Sequence, residues 1–211
     1  MCCRYHIDDE TIAECTDLLM TLNSENINVV SRDIHPGDIA PIIKRSQSGL
    51  TLDEMKWGFP QYRGKGLFIN ARSETAFEKK TFSESVRYRR CVIPARLFYE
   101  WPKLPDKSGG RSERRDSSRS KVRFLRETGS ALYMAGFYNL LQDEVRFVIL
   151  TTQANSSVLP IHDRMPLILE KEEIKDWICN DGETEQYLKK IPLPLQRKQE
   201  YEQQSLFDML Q

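Results

Sequence analysis

Apolar residues recur along the chain mostly in short runs, and at helical spacing in a few places. Residues 9–22 carry apolar side chains on one helical face, which predicts a helix that Asp8 or Asp9 can cap. Elsewhere, short apolar runs bounded by turn residues predict strands. These strands span 39–44, 52–59, 67–70, 91–101, 122–126, 132–138 and 145–152, and a short apolar segment follows at 166–169. Pro94 is expected to break the fourth of them, because proline cannot donate to a strand ladder.

The segment 145–152 is an almost continuous apolar run, which is typical of a strand buried on both faces. We therefore expect it near the centre of a sheet. Further helices are predicted from Ser73, over 83–90 and over 170–179, the last with acidic residues in its first turn. Strands and helices do not alternate regularly, which favours an α+β fold with a mixed or antiparallel, curved sheet.

Two segments are too polar to build a core. Residues 103–121 hold seven Lys or Arg against three Asp or Glu, and we predict a mobile basic loop within 103–121; the alternative is an inert insertion. Residues 196–211 are predicted to be a weakly ordered polar tail. The expected organisation is one domain over residues 2–195, followed by that tail.

Composition narrows the function classes. The 211 residues carry 31 basic and 31 acidic side chains, so a nucleic-acid contact would need a local basic patch. No apolar run is long enough to span a bilayer, and the N-terminus lacks the apolar stretch of a signal peptide. Five cysteines, an odd number without a regular framework, are typical of a reducing compartment. We therefore expect a cytoplasmic protein.

Cys2 follows the initiator methionine, and a small residue there favours removal of Met1. Cys2 would then carry a free α-amine beside its thiol, and both titrate close enough to neutrality to be nucleophilic. Such a 1,2-aminothiol can condense with an aldehyde to a Schiff base that the thiol closes to a thiazolidine. The alternative is that Cys2 is simply the second residue of a frayed terminus.

Asn70 ends an apolar run, and Arg72 follows on the same side if the strand continues. Asparagine can both donate and accept hydrogen bonds, and the arginine fork suits phosphate. The alternative is a turn with a helix N-cap at Ser73.

Two further segments set acids and bases among apolar neighbours. Glu100 lies between two aromatic residues at the end of an apolar strand, where burial would raise its pKa and suit it to proton transfer; a surface glutamate is the alternative. His162, Asp163 and Arg164 lie in a turn between two prolines, where the imidazole could carry protons; a structural ion pair is the alternative.

Trp57 stands before a glycine and close to a proline, and it could be a platform on which a base stacks. A buried core tryptophan is the alternative. Cys2, Cys3 and His6 could bind a metal ion, but a second ligand pair at zinc-like spacing is missing from the sequence. We expect neither a metal ion nor a cofactor.

Five motifs in a fixed order resemble the SOS-response-associated peptidase (SRAP) family, over residue 2 to about residue 180. They are Cys2-x-Arg4-Tyr5, Trp57-Gly58, Asn70-Ala71-Arg72-Ser73-Glu74-Thr75, Pro94-Ala95-Arg96-x-Phe98-x-Glu100-Trp101 and His162-Asp163-Arg164-Met165-Pro166. The resemblance implies one mixed α/β domain around a barrel-like β core, with a basic cleft for single-stranded DNA. It also implies a covalent crosslink to abasic sites, which shields the lesion, and proteolysis that removes residues ahead of the cysteine.

The resemblance further implies a role for each matched residue. Cys2 would be the nucleophile, Asn70 would hold the opened sugar and the terminus, and Glu100 and His162 would move protons. The DNA contacts would come from arginines on the flanking phosphates and from two stacking side chains. These residues are Arg4, Arg72 and Arg164 for the phosphates, and Trp57 and Pro41 for stacking.

One residue departs from the family pattern, and the tail carries a separate motif. Cys3 stands where the family has glycine, and it could crowd the site, compete as a second thiol or form a disulfide. The tail carries Gln203-Gln204-Ser205-Leu206-Phe207, which looks like the peptide that docks bacterial proteins on the replicative sliding clamp. We expect a monomer. Two other functions stay open: an N-terminal-nucleophile cysteine peptidase or amidohydrolase, and a non-covalent single-stranded DNA-binding module.

Overall fold

The computed structural model describes residues 2–19, 31–47, 49–62, 64–102 and 121–200. Its strands are β1 (Tyr5–Ile7), β2 (Arg32–Ile34), β3 (Ile39–Ser46), β4 (Gly49–Trp57), β5 (Phe59–Pro60), β6 (Leu67–Phe68), β7 (Asn70–Arg72), β8 (Arg90–Ala95), β9 (Leu97–Glu100), β10 (Lys121–Leu125), β11 (Leu132–Leu141), β12 (Glu144–Gln153), β13 (Arg164–Pro166), β14 (Ile168–Leu169) and β15 (Gln196–Glu200). Its helices are α1 (Asp9–Leu19), α2 (Ser83–Tyr88), α3 (Ile174–Cys179) and α4 (Thr184–Leu188), with 3₁₀ turns at Ser73–Thr75, Lys171–Glu173 and Asp181–Glu183.

Five strands close into a barrel in the order β12-β4-β3-β8-β11, and β11 pairs again with β12. The β12–β4 pairing is parallel and the other four are antiparallel. This closure confirms the predicted α+β fold with a barrel-like mixed core. Strand β12 also pairs with β7 and β13, so the continuous apolar run is central, as predicted.

A second sheet, in the order β15-β10-β9-β1-β2, pairs the N-terminal strand β1 with the first two residues of β9. The prediction of a weakly ordered tail from Gln196 is wrong for its first five residues, because Gln196–Glu200 pair with β10 as an edge strand. Residues 201–211, with the sliding-clamp peptide, lie outside the described residues, as do residues 103–120 of the predicted basic loop.

Alternation along the barrel strands divides the core into two clusters. On β12, Phe147 and Ile149 belong to the cluster that contains Cys2, whereas Val148 and Leu150 belong to the cluster packed under the helices. Both faces of β12 are therefore apolar, which explains why its sequence shows no period of two.

Capping side chains lie at the start of two of the predicted helices. Asp8 Oδ1 accepts the backbone N–H of Thr11 at 2.8 Å, so the predicted cap of α1 is confirmed. A capping box between Glu170 and Glu173 opens the predicted C-terminal helix. The helix predicted from Ser73 is a single 3₁₀ turn. In the described parts of the chain, no helix combines the length and apolar character that a membrane crossing requires.

The strand predicted over 91–101 is interrupted at Arg96, and the prediction of a break at Pro94 is wrong. Pro94 lies within β8, opposite Tyr133 of β11. At the interruption, the Arg96 backbone N–H donates to the His6 carbonyl at 2.8 Å, and its guanidinium binds Asp8 at 2.9 Å. The chain thus passes from the barrel sheet to the second sheet at a fixed point, at the start of the strand that Glu100 ends.

Candidate active site around Cys2

Cys2 is fully buried beside the barrel strands, and the alternative of a frayed terminus is wrong. Its carbonyl oxygen accepts a hydrogen bond of 2.7 Å from Nδ2 of Asn70, the first residue of β7. The Cys2 thiol points back to the Arg4 carbonyl oxygen at 3.7 Å. Because β7 pairs with the central strand β12, this hydrogen bond connects the second residue of the chain to the barrel.

Asn70 has a second polar atom at this site. Its Oδ1 atom is buried and accepts no hydrogen bond within the described residues. The backbone next to Asn70 is held by a second hydrogen bond, because the indole Nε1 of Trp57 donates to the Ile69 carbonyl at 2.9 Å. The residue therefore presents an acceptor next to the Cys2 backbone on a rigid strand.

Glu100 ends β9 with 3% of its surface exposed, so the alternative of a surface glutamate is wrong. Burial first, and then the negative charge of Glu100, raise the pKa of the Cys2 thiol well above its ordinary value. The same two causes raise the pKa of the half-buried Cys3 thiol. Near neutral pH, Cys2 is thus a neutral thiol whose proton must be removed before sulfur can attack, and a carboxylate lies close enough to influence that proton.

His162 lies in the turn before β13, with 13% of its side chain exposed. Its Nδ1 atom lies 3.0 Å from an Asp163 carboxylate oxygen and 3.0 Å from the backbone nitrogen of Arg164. The turn packs through Val158 and Met165 into the same apolar cluster as Cys2. The turn that carries His162 therefore packs against the half of the core that contains Cys2.

The three predicted phosphate arginines differ in their surroundings. Arg72 is exposed on β7, opposite Thr151 of β12. Arg164 donates to both carboxylate oxygens of Glu74, at 2.5 and 2.8 Å, and to the Thr151 carbonyl. Arg72 and Arg164 therefore flank the same residue of the central strand.

Arg4, the third of them, binds Asp33 of β2 through Nε at 2.8 Å and through Nη2, and its guanidinium lies over the Tyr99 ring at 5.0 Å. Asp33 also accepts hydrogen bonds from the Tyr99 hydroxyl and the His6 imidazole. Asp33 is a site-adjacent residue that the sequence reasoning missed, because its partners are distant in sequence and no motif marks it.

Trp57 and Pro41 do not have the exposure that the predicted stacking role needs. Trp57 is fully buried, parallel to Phe147 with ring centroids 6.2 Å apart, so the alternative of a core tryptophan matches its contacts. Pro41 is buried in β3 opposite Glu54. Within the described ranges, no group of three or more His, Cys, Asp or Glu side chains is arranged to hold a metal ion.

Comparison with known proteins gives consistent matches. The family model described as SOS response associated peptidase (SRAP) matches residues 1–205. The abasic site processing protein YoaM of Bacillus subtilis is 29% identical over 174 residues, which cover 78% of this chain and 72% of YoaM. The abasic site processing protein YedK of Escherichia coli is 27% identical over 151 residues, which cover 69% of this chain and 63% of YedK.

Solved structures share the fold. A protein from Bacteroides thetaiotaomicron superposes with a TM-score of 0.73 at 21% identity, covering 94% of this chain and 91% of its own. A protein from Bordetella bronchiseptica gives a TM-score of 0.72 at 22% identity, covering 94% and 99%. At these identities the likeness concerns the fold alone.

Proposed function

Because the chain belongs to the SOS response associated peptidase (SRAP) family, we propose that it senses abasic sites in single-stranded DNA and attaches itself to them through Cys2. The observation that supports this most is the hydrogen bond from Asn70 to the Cys2 carbonyl beside buried Glu100. A terminus held in this way is oriented for reaction, which lowers the entropic cost of bringing amine and aldehyde together.

The proposed reaction begins once Met1 is removed and the Cys2 α-amine is free. The ring-opened abasic sugar presents an aldehyde, and the amine attacks its carbonyl carbon. The carbonyl oxygen leaves as water, which gives a Schiff base. The Cys2 sulfur then adds to the imine carbon, and the thiol proton passes to the nitrogen, closing a thiazolidine. One C–N bond and one C–S bond form, and one water is released.

Two side chains supply the proton transfers in this proposal. Glu100 accepts the thiol proton and returns it to nitrogen, a role suited to a carboxylate that is 3% exposed and close enough to raise the Cys2 pKa. His162 acts on the sugar oxygen during ring opening. The Oδ1 atom of Asn70 accepts from the amine or from a sugar hydroxyl, which satisfies its buried acceptor.

Binding of the DNA strand would use local basic residues, since the net charge of the chain is zero. Arg72 is exposed beside the site and would contact a phosphate directly. Arg164 and Arg4 already bind carboxylates, so each would have to exchange or share that partner with a phosphate. Trp57 acts from the core by fixing the strand that carries Asn70, rather than as an exposed platform.

A denaturing gel tests the proposal. Purified protein is incubated with single-stranded DNA containing one abasic site, then boiled in detergent. A shifted band that is lost in Cys2→Ala and retained in Cys179→Ala is expected. Binding in native gels without a heat-stable band would instead indicate a non-covalent module. Cys2-dependent cleavage of amides without a DNA adduct would indicate the N-terminal-nucleophile peptidase.

The enzyme class, the partners and the location follow from the same proposal. The activity is a DNA–protein crosslinking reaction, and any peptidase step removes residues ahead of Cys2.

The protein acts as a monomer at the nucleoid, and the peptide Gln203–Phe207 docks on the sliding clamp. Replacing Leu206 and Phe207 with alanine should abolish capture by immobilised clamp. Equal capture of the wild-type protein and this double variant would contradict the clamp contact.

A further inference from the structure

A second group of potentially reactive side chains lies on strands β1 and β2 and on the residue that precedes β2. The Ser31 hydroxyl lies 3.3 Å from Nε2 of His6, and Nδ1 of His6 lies 2.8 Å from Oδ1 of Asp33. His6 and Asp33 are directly opposite each other in the antiparallel pairing of the two strands. Ser31 precedes Asp33 by two residues, in the bend that leads into β2.

The order of contacts, from hydroxyl to imidazole to carboxylate, is the one that activates a serine. A carboxylate beside Nδ1 favours the tautomer with the proton on that nitrogen, and in this tautomer Nε2 is an acceptor for the serine hydroxyl. A neutral histidine with this tautomer is the form in which an imidazole can remove a proton from an alcohol.

Asp33 is itself held in position and held ionised. Its oxygens accept hydrogen bonds from Arg4 at 2.8 Å and from the Tyr99 hydroxyl at 2.9 Å, in addition to His6. Burial alone would raise the pKa of Asp33, but the hydrogen bonds from His6, Arg4 and Tyr99 outweigh it and lower that pKa below its usual value. The carboxylate thus remains an acceptor across the neutral range.

We propose that Ser31 is an activated nucleophile, with His6 as its general base and Asp33 as the positioning residue, and that it accepts acyl groups from activated carboxylic esters. Ser31 is exposed, so the reacting ester can approach from solvent without a deep pocket. This activity goes beyond the proposed DNA chemistry and uses neither Cys2 nor Glu100.

The acyl transfer balances within this cluster. Serine oxygen attacks the ester carbonyl carbon while its proton passes to Nε2 of His6. The tetrahedral intermediate collapses, the bond to the leaving alcohol breaks, and His6 returns the proton to that alcohol. Water then attacks the acyl-serine and gives a proton to His6. The bond between the serine oxygen and the acyl carbon breaks, His6 returns the proton to the serine oxygen, and the carboxylic acid leaves. With a fluorophosphonate, the oxygen–phosphorus bond forms, fluoride leaves, and the serine proton is lost through His6.

A fluorophosphonate probe tests the proposal, because it modifies activated serines rather than thiols. The full-length Cys2→Ala protein is labelled, digested and mapped by mass spectrometry, so that failure of the DNA proposal cannot affect the result. We expect an adduct on Ser31 that is absent in Ser31→Ala and forms about 100-fold more slowly in His6→Gln, the lower range for a general base. Ser130→Ala is the matched control, since the Ser130 hydroxyl contacts Thr128 instead of an imidazole.

The role of Asp33 has its own spectroscopic measurement. In the wild-type protein, the ¹⁵N shifts of the His6 ring should identify the Nδ1–H tautomer, and in Asp33→Asn the two tautomers should mix. Circular dichroism of each variant checks that the fold is retained. Absence of a Ser31 adduct, or equal labelling of Ser31 in the Cys2→Ala protein with and without His6→Gln, would overturn the proposal.

Discussion

The hydrogen bond between Asn70 and the Cys2 carbonyl gives a quantitative test of how the terminus is oriented. Asn70→Ala removes the Nδ2 donor and leaves the carbonyl of a fully buried residue without it. An unsatisfied buried acceptor costs about 1–3 kcal/mol. If the activation free energy of crosslinking rises by that amount, the reaction slows by roughly 5- to 150-fold, at about 1.4 kcal/mol for each factor of ten.

The assay is the single-turnover rate of crosslink formation on abasic single-stranded DNA, followed on denaturing gels. Mass spectrometry of each protein first establishes that Met1 has been removed to the same extent. Asn139→Ala is the matched control, because Asn139 Oδ1 accepts the local backbone N–H of Leu140 at 3.0 Å, far from Cys2 in the sequence. Asn70→Asp keeps the size and the acceptor but loses the donor, and we expect it to react as slowly as Asn70→Ala.

A crosslinking rate for Asn70→Ala within about twofold of wild type, with equal DNA affinity, would refute this reasoning. The carbonyl contact would then be a packing feature of the folded chain. A rate that is restored in Asn70→Asp would show that the buried Oδ1 acceptor, rather than the bond to Cys2, is the group that matters.

Three further predictions follow from charges near the site. Burial is the larger cause of the raised Cys2 pKa, and the charge of Glu100 is the second cause. Glu100→Gln removes that charge, so the rate of Cys2 alkylation should rise at lower pH than in wild type; an unchanged pH profile of alkylation would contradict this. Arg72→Ala should weaken binding to single-stranded DNA and reduce the salt slope by about 0.7, the value for one phosphate contact, whereas an unchanged slope would exclude that contact. The lowered pKa of Asp33 contributes stability above the unfolded pKa of about 3.9, and this is lost as pH falls through the folded value. The free energy of unfolding of Asp33→Asn, measured with denaturant, should therefore change less between about pH 2 and 5 than that of wild type. Parallel plots of the two free energies against pH would contradict this.

Sequence patterns predicted the elements whose residues carry a strong apolar signal. Strand β12, helix α1 and the C-terminal helix were predicted because their burial leaves a clear pattern. Strand β15 was not, since Gln196–Glu200 is a polar edge strand whose pairing depends on β10. Pro94 is tolerated in β8 because the ladder from β8 to β3 includes Cys91 and Val92 and ends before the proline.

The candidate site was predicted in part for a similar reason. The order of motifs brought Cys2 and Asn70 to the same place, and the structure joins them directly. Trp57 could not be assigned from sequence, because an aromatic residue before glycine fits either a surface platform or a core position. The alternation of β4 places it with Met55 on the buried face. The Asp33 cluster has no local signal, since its contacts join strands that are more than 25 residues apart.

The central claim is that the amine and thiol of Cys2 together form the bond to the abasic sugar. The most direct measurement is the mass spectrum of the N-terminal peptide isolated from the crosslinked complex after nuclease and protease digestion. We expect a peptide that begins at Cys2, carries the sugar remnant on that residue, and has lost one water relative to the separate reactants. A crosslinked peptide that retains Met1, or one in which the sugar is attached to another residue, would contradict it.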